Sequence, residues 1–223
     1  QGQPAFASEP LPPVPGAPAP AAGGRPRVGL VLAGGGAKGG AHVGVLKVPE
    51  EMHVPVDCIA GTSMGALVGG GYASGINAQG MEEFLLGIDW PKVVGGVGRW
   101  EKQPIEQKRG GVTYSNQLDM GLKDGGVVMP PGLMNTSGID DLLRSYVARS
   151  RNVSNFDQLP IPYRAVATDM VSGQMVVLGD GDLATAMRAS MAIPGAFAPA
   201  PLSDSILNDG GMIRNLPIDV ARK

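Results

Sequence analysis

The segment Gly61-Thr62-Ser63-Met64-Gly65 sets one hydroxyl among small residues, where an apolar run gives way to a helix-forming one. A serine at a tight strand-to-helix elbow projects its hydroxyl above the sheet, and the helix N-terminus beneath it favours developing negative charge. Ser63 is therefore a candidate nucleophile, although the same five residues also suit a simple capped turn. Upstream, Gly34-Gly35-Gly36-Ala37-Lys38-Gly39 offers backbone N–H groups with little side chain in the way. Such donors stabilise the oxyanion of a tetrahedral acyl intermediate. The loop also fits the G-x-G-x-x-G dinucleotide fingerprint, which expects an acidic ribose ligand at the end of the second strand, about 20 residues on. Asp57 stands near that distance, but at the start of that strand, and the GTSMG elbow occupies the end. No Gly-Lys-Ser/Thr follows, so a phosphate-binding P-loop is excluded. A purely structural tight turn is the remaining alternative.

A serine nucleophile needs a base. The chain has two histidines, His42 and His53. Both precede Ser63, against the Ser–Asp–His order of an α/β-hydrolase, and both read as packing or surface residues. Elimination leaves a carboxylate, and Asp209-Gly210-Gly211 follows the apolar Ile206-Leu207 with glycines that let backbone approach closely. An exposed aspartate, with a pKa of about 3.9, is a weak base. In a partly dry pocket beside Ser63 it can accept the proton. Asp-Gly-Gly is also a common turn.

The elements that must position these groups read as α/β. Residues 28–33 form a short buried strand, the glycine loop follows, and a helix carries Val43, Leu46 and Met52, with Pro49 expected to end or kink it near Val48. Residues 54–60 read as a second strand, and Ala66-Leu67-Val68 open a second helix. Helical spacing recurs at 81–88, while 95–131 reads as loops with a hairpin. Ser137 resembles an N-cap with acidic Asp140 three residues on, ahead of Leu142, Leu143, Tyr146 and Val147. Residues 163–168 and 175–178 read as strands about the turn Val171-Ser172-Gly173, and 183–190 as a helix stopped by Pro194-Gly195. Strands alternating with helices predict a three-layer sandwich with a mostly parallel central sheet.

Composition removes other classes. With 18 basic and 20 acidic residues the net charge is −2, so no strong field draws the chain to nucleic acid. The single Cys58 excludes an internal disulfide and any multi-cysteine zinc site, and no metal or other cofactor is expected. No apolar run approaches the roughly 18–20 residues of a membrane-spanning helix. The informative members of the glycine excess (35 residues) lie at the three turns above, whereas much of the proline (20 residues) lies in residues 1–26, a Pro/Ala-rich tail or linker too poor in large side chains to form a core. Residues 27–223 form the folded domain.

GGGAKG, GTSMG and DGG in that order resemble the patatin-like phospholipase family. Ala167-Thr168-Asp169 with Gly173, and Arg188-Ala189-Ser190-Met191-Ala192-Ile193-Pro194-Gly195, are similar to its bacterial members. The resemblance runs from Arg27 to the C-terminus. It implies a patatin-like fold and a Ser–Asp dyad that hydrolyses fatty-acyl esters of phospholipids through an acyl-enzyme. Ser63 is then the nucleophile, Asp209 the base and Gly34 to Gly39 the oxyanion hole. Gly61, Thr62, Met64 and Gly65 make the elbow, and Gly210 and Gly211 complete the aspartate motif. A non-catalytic lipid- or nucleotide-binding module is the alternative. Bacterial patatin domains continue beyond Asp-Gly-Gly, so a C-terminal truncation is expected. The tail resembles those of secreted Gram-negative members, some joined to an outer-membrane barrel, with a cytoplasmic enzyme as the alternative. Peripheral membrane contact is expected through the apolar stretches 127–134 and 191–202, each of which reads singly as core, and homodimerisation is left open. Arg99, Lys102, Lys108 and Arg109 could meet head-group phosphates, though a solvated charged face suits them better.

Overall fold

The computed structural model describes residues 25–89, 93, 121–123, 126–128, 136–202 and 204–222. Residues 1–24 of the expected tail, most of 95–131 with Arg99, Lys102, Lys108 and Arg109, and 129–134 of the first apolar stretch lie outside them. In chain order the elements are β1 (Gly29–Leu32), a 3-10 turn (Gly36–Gly40), α1 (Ala41–Glu51), β2 (Cys58–Thr62), α2 (Met64–Ala73) and α3 (Ala78–Gly87). A separate antiparallel pair follows, β3 (Gly121–Lys123) and β4 (Gly126–Val128), the hairpin expected there. Then come α4 (Thr136–Tyr146), β5 (Tyr163–Asp169), β6 (Met175–Leu178), α5 (Leu183–Ser190), β7 (Ala200–Leu202), β8 (Ser205–Asp209) and α6 (Ile218–Ala221).

β1, β2 and β5 are parallel neighbours, as expected of strands joined through helices. The other pairings, β5 with β6, β5 with β8 and β7 with β8, are antiparallel, so the sheet as a whole is mixed where a mostly parallel one was expected. The reason is connection length: short turns join β5 to β6 and β7 to β8, and a parallel crossover needs a dozen or more residues.

The register on β5 positions the site. Each strand residue has two edges. Ala165 and Val166 pair with β2 on one and β6 on the other, whereas Ala167 and Thr168 pair with β6 and β8. β2 and β8 therefore share a single edge of β5, running in opposite senses, with their C-terminal ends facing.

Alternation along the strands separates two layers. Leu32, Ile59, Tyr163, Ala165 and Ala167 join the larger core with Leu67, Met81, Leu143, Phe156 and Met187 from the helices and loops. Ala60 and Val166 face the other way and pack under Val220 of α6. Helices on both faces complete the expected sandwich. Fully buried Tyr163 reaches through the first layer to donate its hydroxyl to Ala66 O at 2.8 Å, which seats α2 on the sheet.

Several boundaries differ from the expected ones, and three of them have a clear cause. β2 begins at Cys58, because Pro55 has no N–H for a ladder and Val54 turns back to donate to Pro49 O; the strand then continues through Gly61 and Thr62. α1 runs past Pro49 to Glu51: a proline in the last turn forfeits one bond, while Met52 N–H still reaches Val48 O. α4 starts at Thr136, so Ser137 lies inside its first turn, and Asp140 faces Arg188 of α5, 3.3 Å from its Nε.

Candidate active site

Ser63 stands between the last residue of β2 and the first of α2, at φ 54° and ψ −122°. A positive φ at a non-glycine costs about 1–3 kcal/mol and persists only where the surroundings enforce it. Here they do. The Ser63 N–H donates to Ser190 Oγ at 2.8 Å, while its C=O accepts from Ala66 and Leu67 of α2. Gly65 lies so close to the Leu32 carbonyl that a Cβ there would overlap it, and a Cβ on Gly39 would come within 2.6 Å of Met64 Cβ. Strand, elbow and glycine loop are thus packed backbone to backbone.

Asp209 arrives from the opposite direction at the end of β8. Its Oδ2 accepts the Ser63 hydroxyl at 2.6 Å, and its Oδ1 accepts the Gly211 N–H at 2.7 Å. Both side chains are buried in protein, Ser63 being 5% exposed and Asp209 7%. The Asp209 main chain is fixed too, its N–H donating to Ala192 O at 2.9 Å and its C=O accepting the Thr168 hydroxyl at 2.9 Å. The backbone after Gly211 folds back onto the other strands: Arg214 O accepts from Thr62 Oγ1 and Asn215 O from the Gly34 N–H. A short O–H···O bond to a carboxylate polarises the hydroxyl towards the alkoxide and gives its proton a destination.

The glycine loop lies beside this pair, since a Cβ on Gly34 would sit 3.0 Å from Ser63 Cβ. Its six residues are not equivalent. The Gly34 N–H is used by Asn215 O, the Lys38 N–H by Gly35 O, and Gly39 is inside the 3-10 turn. Gly35, Gly36 and Ala37 precede the first donor of that turn, and their N–H groups have no partner among the described residues. Within the loop, these three N–H groups are the ones left free.

Other candidates separate from the site. Both oxygens of Asp57 are taken by Arg25, at 2.6 and 2.7 Å, and the Val28 N–H adds a third bond. The carboxyl is held down to about 2 by the Arg25 hydrogen bond first and the Val28 N–H second. It stands at the far end of β2 from the glycine loop, unfit to be the ribose ligand of the dinucleotide reading. His42 bonds Ala33 O and His53 bonds Glu51 O, both structural contacts as expected. The stretch 191–202 is mainly core, with Met191, Ala192, Phe197 and Ala200 buried and a tip at Ile193-Pro194-Gly195 exposed. Among the described residues no group of three or more His, Cys, Asp or Glu side chains could hold a metal ion, and no helix is long and apolar enough to cross a membrane. Sequence reasoning did not assign Ser190 a contact with Ser63; its place in the run Arg188-Ala189-Ser190 was the available signal.

Comparison with known proteins identifies the family. The family described as patatin-like phospholipase matches residues 30–222. An uncharacterized NTE family protein of Mycobacterium tuberculosis is 36% identical over 193 residues, covering 86% of this chain and 45% of that protein. Patatin-like phospholipase domain-containing protein 6 of Homo sapiens is 34% identical over 197 residues, 87% of this chain but 12% of its own length. The chain thus spans less than half the length of these curated relatives. In fold it is similar to VipD from Legionella pneumophila, with a TM-score of 0.54 at 17% identity over 86% of this chain and 47% of that one.

Proposed function

The chain belongs to the patatin-like phospholipase family, and from that premise we propose that it is a lipid acyl hydrolase working through Ser63 and Asp209. The observation that carries the reading is the 2.6 Å hydrogen bond from the Ser63 hydroxyl to Asp209 Oδ2 in a buried setting. Ser63 Oγ attacks the carbonyl carbon of a fatty-acyl ester as its proton passes to Asp209. The tetrahedral oxyanion is met by the free N–H groups of Gly35, Gly36 and Ala37. Asp209 returns the proton to the departing alcohol, leaving an acyl group on Ser63. Water, deprotonated by the same carboxylate, then releases the fatty acid and restores the serine.

The test is turnover of p-nitrophenyl butyrate and of phosphatidylcholine vesicles by the wild-type chain, Ser63→Ala and Asp209→Asn, with covalent labelling by a fluorophosphonate. Labelling of the wild type at Ser63, with turnover lost in both variants, is the expected result. Undiminished turnover in either variant overturns the dyad. Lipid or nucleotide binding by a wild type that neither labels nor hydrolyses would identify a binding module instead.

A further inference from the structure

Ser63 lies one residue beyond the last ladder pair of β2, Thr62 with Val166, so no strand partner fixes it. Asp209, by contrast, is held in β8 opposite Ala167. No ladder joins β2 to β8; the two strands merely face each other along β5. The register on β5 sets the separation of their ends, and something else must fix the Ser63 main chain.

The C-terminal turn of α5 does so. Ser190 is 0% exposed; its Oγ accepts the Ser63 N–H at 2.8 Å and its hydroxyl donates to Val166 O at 2.6 Å. Two residues on, Ala192 O accepts the Asp209 N–H at 2.9 Å. Ser190 and Ala192, two residues apart, therefore grip the main chain of both members of the pair, and through Val166 Ser190 also holds the point on β5 where β2 and β8 both end. The Ser63 end of this grip needs a group that accepts and donates at once. A hydroxyl does both; an alanine methyl does neither, and a thiol does both weakly. The bond also occupies the Ser63 N–H, so that group is not free to serve an oxyanion.

On the reading of Ser63 as nucleophile, we propose that Ser190 is a positioning residue for ester hydrolysis. Its hydroxyl holds the Ser63 main chain in the left-handed conformation that delivers Oγ to Asp209. It touches no substrate atom. Its loss leaves the Ser63 amide unpaired inside the protein and lets the elbow relax, and a displacement of about 1 Å at a reacting group lowers the rate by about 100-fold.

The experiment compares the wild-type chain with Ser190→Ala, Ser190→Cys and Ser190→Thr on p-nitrophenyl butyrate, each assayed well below its melting temperature, together with the second-order rate of fluorophosphonate labelling. Cysteine nearly preserves volume and serves where the alanine variant does not fold. The expected result is a fall of about 10- to 100-fold in kcat and in labelling rate for the alanine and cysteine variants, with KM within about twofold, and substantial recovery in the threonine variant. A residue that only supported the fold would lower the melting temperature and leave kcat of the folded fraction unchanged, and that outcome overturns the proposal. So does a rise in KM at constant kcat, or a threonine variant no better than alanine. A wild type that neither hydrolyses nor labels overturns the underlying reading of Ser63 instead, so the two failures are distinguishable.

Discussion

Thr62 and Asp209 pair with consecutive residues, Val166 and Ala167, on the same edge of β5. One residue step along a strand is about 3.3 Å. Two chain segments that run in opposite directions are thereby brought tip to tip, and the residue following Thr62 meets the side chain of Asp209. The pair is built by sheet register, with a serine and an aspartate each at the end of a strand.

Both side chains of the pair should be indispensable. Ser63→Ala and Asp209→Asn are expected to lower kcat for p-nitrophenyl butyrate by at least about 1,000-fold, with the double variant little worse than either single one, because groups acting as a unit are strongly non-additive. Additive losses in steady-state kinetics would show that the two act independently.

Two glycines of the site should respond unequally to an added methyl. Gly65→Ala places a Cβ against the carbonyl of Leu32, a residue 2% exposed and held in the β1–β2 ladder, which cannot move aside. A loss of about 3 kcal/mol or more in denaturant unfolding is expected. At Gly36 an added Cβ would meet no atom within 4 Å, and the backbone stands at φ 54°, so Gly36→Ala should cost only about 1–2 kcal/mol of backbone strain. Equal losses would contradict this difference in packing.

The Arg25–Asp57 pair gives stability a defined pH dependence. The Asp57 carboxyl, at about 2 against an ordinary 3.8, binds a proton less readily in the folded state than in the unfolded one. Its contribution is complete above about pH 4 and fades as the pH falls towards 2. Asp57→Asn should therefore melt lower than wild type at pH 7, and the difference should close between pH 4 and pH 2. A difference that stays constant across this range assigns the loss to packing.

Two ion pairs of similar appearance should differ in worth. Arg188 has a side chain only 9% exposed; it donates to Ala198 O and lies over the Phe197 ring, and burial lowers its pKa while Asp140 opposes the shift. Removing Asp140 strands a buried cation, whereas Asp157 pairs with a half-buried Arg164 beside solvent. Asp140→Ala is expected to cost about 1–2 kcal/mol and Asp157→Ala distinctly less, read from urea midpoints.

The local chemistry of the fold was legible in the sequence. GTSMG and GGGAKG could be placed because a buried strand, a tight turn and a helix each leave marks within a few residues. The α5 bounds, Leu183–Ser190, and the β6 bounds, Met175–Leu178, match the sequence reading for the same reason. What could not be read depends on partners distant along the chain. Nothing near residue 166 announces that β5 divides one edge between β2 and β8, and so the mixed sheet was missed. Ser190 looked like the last residue of a helix because its task is defined by Ser63, and the hydrogen bond joining them spans 127 positions. The selective use of the glycine loop was hidden as well, since Asn215 and the 3-10 turn decide which N–H groups stay free.

Ser63 and Asp209 are 146 positions apart, and the strand end that carries Asp209 can dock only after β5 has displayed an open edge. Helices and the β5–β6 hairpin close over short loops, whereas β2 must meet β5 across all the residues between Thr62 and Tyr163, and long loops close late in folding. Ester turnover is thus a clock for the final closure. In refolding from denaturant the circular dichroism should recover first, with hydrolysis and serine labelling returning in the slowest phase. Every nascent chain shorter than about residue 209 is without the carboxylate that meets the Ser63 hydroxyl.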